Sequence, residues 1–238
     1  MTASPQAFVS RAEQIFLRPG RQYPWADVIR GAKVLNCHGE TRVIPAVGTN
    51  TFRGFHRLDK SAEGPQETFV SFFMSEKRNL ITALGKVKTS DALHELACRI
   101  QKKLIQRLGN IRPEQLRSFN KVRKPVDLYL EHLVSMAEEL AHLRSILIPL
   151  IFLPLDSWIL DHQGIFSESE LLGLGLSRGL SFGDVTAEST YLALQRLAQS
   201  KACAITAKLN TRFHPIYYDL FWNNRFKNWG SNLFETNP

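Results

Sequence analysis

The sequence has 238 residues with 30 Lys+Arg against 22 Asp+Glu, a formal net charge of +8 and a pI near 9.6. Hydrophobic residues at 44% and charged residues at 22% match soluble globular chains, which excludes a disordered, collagen-like or low-complexity protein. The length suits a single domain over 1–238, with 1–88 (strand-rich) and 89–238 (mainly helical) as its natural subdivision.

In chain order, Lys33 to Cys37 and Thr41 to Val47 flank a His38-Gly39-Glu40 turn and read as a hairpin. Gly48 to Gly64 reads as loop. Glu67 to Met74 and Leu80 to Val87, rich in Phe, Val and Thr, read as a second strand pair around Ser75 to Asn79. From Thr89 the period changes: Leu93, Ala97, Ile100, Leu104 and Leu108 recur at i, i+3/i+4 spacing, predicting an amphipathic helix that stops at Gly109-Asn110. Pro113 suits the start of a short helix to about Lys121, and Pro125 that of a longer one to about Arg144. Pro149 and Pro154 would break a helix over Ile146 to Leu155, which reads instead as one buried apolar strand. Ser167-Glu168-Ser169-Glu170 has the form of a capping box, and a last helix is expected from Ala187 to Ala204. Strands first and helices later make an α+β fold.

The cysteines, Cys37, Cys98 and Cys203, are odd in number and form no Cys-x-x-Cys pair, so neither a disulfide framework nor a structural zinc site is expected. The N-terminus lacks a basic stretch followed by an apolar one, which points to a cytoplasmic, intracellular protein. The most apolar run, Ile146 to Leu160, is shorter than the roughly 20 residues a spanning helix needs and carries two prolines and Asp156. No membrane partner is expected.

The charge is unevenly placed. Lys86 to Lys124 holds eleven bases against three acids (Asp91, Glu95, Glu114), an excess equal to the net charge of the whole chain. Pro125 to Leu171 then inverts the sign, with eight acids and only Arg144 as a base. Arg99, Lys102, Lys103 and Arg107 fall outside the apolar face of the first helix, and Arg117, Lys121, Arg123 and Lys124 extend the track. Such a stripe can follow a phosphate backbone, releasing counterions as it binds. Nucleic acid, with DNA slightly preferred over RNA, is therefore the expected partner. A solvated face pairing with the acidic segment, in a non-catalytic protein–protein interaction module, accounts for the same pattern.

Asp127, Glu131 and Glu138 fall within about 40° of one another on an ideal helix, with His132 and His142 nearby. Three carboxylates on one face can hold Mg²⁺ for phosphodiester chemistry, with a histidine as base, which makes a Mg²⁺-dependent nuclease or phosphodiesterase the alternative function. An ordinary amphipathic surface helix has the same pattern. No Asp or Glu is followed two residues later by Lys, as one nuclease class requires, and Glu139-Leu140-Ala141-His142 is a single Glu-x-x-His where a di-iron site needs two. Gly175-Leu176-Ser177-Arg178-Gly179 matches a nucleophile elbow, but the preceding capping box makes a helix-ending turn the better reading. Phe166 to Ala204 has the outline of a winged helix-turn-helix with too long a turn. Phe213, Tyr217, Tyr218, Phe221, Trp222, Phe226, Trp229 and Phe234 lie among Arg212, Arg225 and Lys227. Burial is the favoured fate of these rings, ahead of base stacking or a homo-oligomer interface.

Overall fold

A computed structural model describes residues 4–35, 39–162, 164–224 and 233. Its helices are α1 (Pro5–Phe16), α2 (Trp25–Arg30), α3 (Pro65–Ser75), α4 (Lys77–Lys86), α5 (Ser90–Arg107), α6 (Phe119–Met136), α7 (Arg144–Leu147), α8 (Glu168–Gly173) and α9 (Glu188–Leu209). Shorter turns join them, and strands β1 (Ala32–Leu35) and β2 (Thr41–Ile44) form one antiparallel sheet. The fold is α+β, a mainly helical body with one small hairpin set between α2 and α3, so residues 1–88, expected to be strand-rich, are largely helical as well. No helix among the described residues is long and apolar enough to cross a membrane.

The hairpin pairs Ala32 with Ile44 and Leu35 with Thr41, turning Ala32 and Val34 inward. Cys37 and His38 lie outside the described residues. The chain passes from α2 into β1 through Gly31, at φ 121°, where a Cβ would lie 2.6 Å from the Val43 side chain. Only glycine tolerates that backbone without strain.

Two expected strands are helices. Pro65 sits in the first turn of α3, and Phe69, Phe72 and Phe73 recur at i, i+3, i+4 and are buried. Leu80 and Leu84 do the same on α4. The β-propensity of Phe, Val and Thr yields to this spacing, because each Phe gains about 1.5–3 kcal/mol from burial on one helical face.

The centre of the molecule is α6, which packs against α1, α2, α5, α7 and α9. It is not the surface helix expected from Pro125: every residue from Val122 to Ala137 is buried. It also begins earlier, at Phe119, and carries Pro125 inside it. The N–H groups of Phe119 and Asn120, which no helical carbonyl can accept, donate to the carbonyls of Thr186 and Val185. At the other end, buried Arg144 donates to the carbonyls of Val134 and Ala137, a cation at the negative pole of the helix. Short 3₁₀ turns replace the expected continuation towards Arg144.

The strand expected over Ile146 to Leu155 does not form: α7 and a 3₁₀ turn at Ile148–Leu150 take its first half, and Ile151 to Leu155, largely buried, pairs with no strand among the described residues. Gln195 of α9 takes a strand's place, accepting from the Leu153 N–H at 3.1 Å and donating to its carbonyl at 2.8 Å. Asn120 donates to the Leu155 carbonyl at 2.7 Å. A side-chain amide thus satisfies backbone that a sheet would otherwise pair.

Candidate functional site

The outward side of α5 carries Arg99, Lys102, Lys103, Gln106 and Arg107, all exposed, while Leu93, Ala97, Ile100 and Leu104 hold the helix to the core. Three of these four cations have a local acidic partner, all at the exposed surface. Lys103 lies 3.2 Å and Arg107 3.9 Å from Glu76, Arg107 also rests over the Phe72 ring at 4.9 Å, and Arg99 is 3.9 Å from Glu95. Lys102 and the exposed Arg112 and Arg117, on the turn after α5, make no ion pair among the described residues.

The rest of the expected track turns inward. Lys121 is half-buried between the rings of Phe55 and Phe182, at 5.3 and 5.1 Å, and burial lowers its pKa. Lys124 is buried 3.9 Å from Asp156 and over Phe182. Arg123 has no exposed surface; its Nε donates to Asp127 at 2.6 Å, and its plane is boxed by Phe119, Phe152 and Tyr191. These three cations cannot lie along a phosphate backbone at the surface. Without Lys121, Arg123 and Lys124, the basic segment keeps eight bases against three acids, an excess of five.

The expected carboxylate cluster does not assemble either. Asp127 is committed to Arg123 and to the Tyr191 hydroxyl, which donates to it at 2.7 Å. Burial raises the Asp127 pKa against the pull of both partners. Glu131 is fully buried one turn later, and His132 beside it donates from Nδ1 to the Leu128 carbonyl. Glu138 and His142 are exposed on the 3₁₀ turn after α6, because the helix ends at Met136 and the 100° step no longer applies. Asp127, Glu131 and Glu138 therefore share no metal-sized site. The neighbouring Glu139 is structural: it accepts from the Trp25 N–H at the start of α2 and from Lys77.

A different set of donors converges at the α5–α9 contact. His94 and Cys98 stand one turn apart on the flank of α5, and Glu188 opens α9. His94 Nε2 is 2.7 Å from Glu188 and 3.4 Å from Cys98 Sγ, and Cys98 Sγ is 3.9 Å from Glu188. Arg123 Nη1 approaches His94 Nδ1 at 3.2 Å and Cys98 Sγ at 3.6 Å. The guanidinium can only donate, so Nδ1 accepts, the ring proton sits on Nε2, and it is given to Glu188. Burial raises the Cys98 thiol, which stays protonated near neutral pH despite Arg123. The His-x₃-Cys step inside a strongly periodic helix was the available sequence signal, since residues four apart share a face. Glu188, ninety residues later, had none.

Ser177 is exposed in the turn that ends α8, where Gly175 at φ 72° allows the Leu176 N–H to reach back to the Leu171 carbonyl. That is a helix stop, not a nucleophile elbow. α8 and α9 are too far apart along the chain for a helix-turn-helix. Phe213, Tyr217 and Tyr218 are buried against Phe8, Phe16 and one another, so these rings are spent within the chain's own core. The Trp222 side chain and residues Arg225, Phe226, Lys227, Trp229 and Phe234 lie outside the described residues. Comparison with family models, with curated proteins and with solved structures finds no match to the chain.

Proposed function

We propose that the protein binds nucleic acid, DNA in preference to RNA, through the exposed basic side of α5 and the turn that follows it. The observation that carries the reading is that the acidic segment neutralises the basic one only at its buried end. Asp127 and Asp156 face Arg123 and Lys124, whereas Lys102, Arg112 and Arg117 are exposed and unpaired among the described residues. Exposed cations on a rigid helix meet phosphates at low desolvation cost, and the released counterions make affinity fall steeply with salt.

The test is duplex DNA binding by the full chain across a salt series. Log affinity is expected to fall linearly with log salt, and Arg99→Glu/Lys102→Glu to weaken binding on every sequence tried. Lys208→Glu/Arg212→Glu, at exposed bases near the far end of α9, changes the net charge equally and is expected to leave most of the affinity intact. Equal losses in the two variants, or no binding at low salt, would refute an interface on α5.

A further inference from the structure

We propose that His94, Cys98 and Glu188 form a zinc site that ties α5 to α9, with His94 binding through Nε2 and Cys98 as the thiolate. One potential ligand atom from each residue lies within 4.8 Å of the other two. Tetrahedral Zn²⁺, with Zn–N near 2.05 Å and Zn–S near 2.3 Å, separates its donors by about 3.3–3.6 Å. The 3.4 Å His94–Cys98 spacing already fits. The 2.7 Å His94–Glu188 contact must open by about 0.6 Å, and the 3.9 Å Cys98–Glu188 spacing must close by a few tenths of an ångström. Rotation of Glu188, whose side chain is 53% exposed, supplies both movements.

The donor set selects the ion. Thiolate and imidazole favour Zn²⁺ over Mg²⁺ or Ca²⁺, which take oxygen ligands. One thiolate and one carboxylate balance the dication, and three protein ligands leave a fourth position for water. His94 also lines a groove of about 230 Å³ with Asp91, Phe152, Gln195 and Arg196, and the exposed Glu188 puts the other edge of the site at the surface.

The protons balance with one released to solvent. On metal binding the Cys98 thiol releases its proton to solvent, and the imidazole proton moves from Nε2 to Nδ1, so one proton leaves per ion. The new Nδ1–H and the guanidinium would be two donors 3.2 Å apart, so Arg123 must turn away from the ring. That guanidinium is already 3.6 Å from Cys98 Sγ and donates instead to the thiolate created there. A hydrogen bond to a neutral ring is exchanged for one to an anion, which is the stronger of the two. Arg123 thus positions and partly neutralises the sulfur ligand, as outer-shell groups do at metal sites.

The experiment is a Co²⁺ titration of the chelator-stripped full chain carrying Cys37→Ser/Cys203→Ser, which leaves Cys98 as its only thiol. One equivalent is expected to produce a near-ultraviolet thiolate-to-metal band and the visible bands of a four-coordinate ion, both displaced by Zn²⁺. Zn²⁺ at a hundredfold excess over its Kd is expected to raise the melting temperature by roughly 5–10 °C. Cys98→Ser, with the other two cysteines restored, must lose the thiolate band. Glu188→Gln changes an exposed side chain without emptying the core, and is expected to weaken binding at least about tenfold. A six-coordinate aqueous spectrum throughout, a thiolate band that survives Cys98→Ser, or unchanged affinity in Glu188→Gln would overturn the site.

Discussion

The two ends of the basic segment carry the same kind of charge and live under opposite physics. Around Lys102 the cations stand in water, where an ion pair is worth 0–1 kcal/mol and a phosphate meets little competition. At Arg123 the cation has no water at all, and removing it from solvent costs several kcal/mol that Asp127, the Tyr191-bound carboxylate and three aromatic faces must offset. The sign change at Pro125 is therefore not the edge of a surface dipole. It marks where the chain enters the core, and Arg123 and Asp127 are i, i+4 partners across that boundary. A charge counted in sequence becomes a binding charge only on the side of the helix that stays wet.

The strongest way to break this contrast is at the buried end. Asp127→Ala leaves Arg123 buried and unpaired, and is expected to destabilise the protein by about 3–5 kcal/mol, lowering the melting temperature by roughly 10 °C. Arg123→Met/Asp127→Leu removes both charges and should lose less than the single variant. Denaturant melts of the two would reveal an uncoupled pair if the double variant lost the sum of two single losses. A smaller buried effect is expected at Gln195. Gln195→Leu strands the N–H and carbonyl of Leu153, costing about 2–3 kcal/mol in the same assay.

What could be read in the sequence follows the range of the forces involved. The amphipathic α5, the capping box of α8 and the start of α9 rest on local period and caps, and they stand where expected, although α9 runs on past Ala204 to Leu209. α3 and α4 were readable from the spacing of Phe69, Phe72 and Phe73 and of Leu80 and Leu84, but residue type pointed to strands. The start of α6 at Phe119 was not readable, because its first N–H groups are satisfied by carbonyls at 185 and 186. The pseudo-strand at Ile151 to Leu155 depends on Gln195 in the same way. Of the site residues, the exposure of Arg99, Lys102, Lys103 and Arg107 followed from helix period alone. The burial of Arg123 did not, since nothing local distinguishes a cation facing solvent from one boxed by Phe152 and Tyr191.

Glu76 links the exposed end to the rest of the fold and gives the contrast a pH dependence. A hydrogen bond from Asn79, then one from Lys103, holds its carboxyl below the ordinary value of 4.5. A carboxyl with a lowered folded-state pKa contributes stability above its unfolded value and loses it as pH falls through the folded value. Glu76→Gln is therefore expected to cost less than about 1 kcal/mol near neutral pH and to converge on the parent at pH values below the folded pKa. Melting curves across pH 2–7 that run parallel for the two proteins would show that Lys103 and Glu76 are not coupled.

The finest prediction concerns Lys102, where stability and binding should separate. Its side chain is exposed and makes no ion pair among the described residues, so Lys102→Gln should change the unfolding free energy by no more than about 0.5 kcal/mol. If Lys102 meets a phosphate, the same change should reduce the slope of log affinity against log salt by about 1. Arg123→Met/Asp127→Leu offers the opposite signature: stability altered and the salt slope preserved, because neither removed charge reaches solvent. A salt slope that moved with the buried pair, and not with Lys102, would mean that the cations contacting phosphate are not those on the wet side of α5.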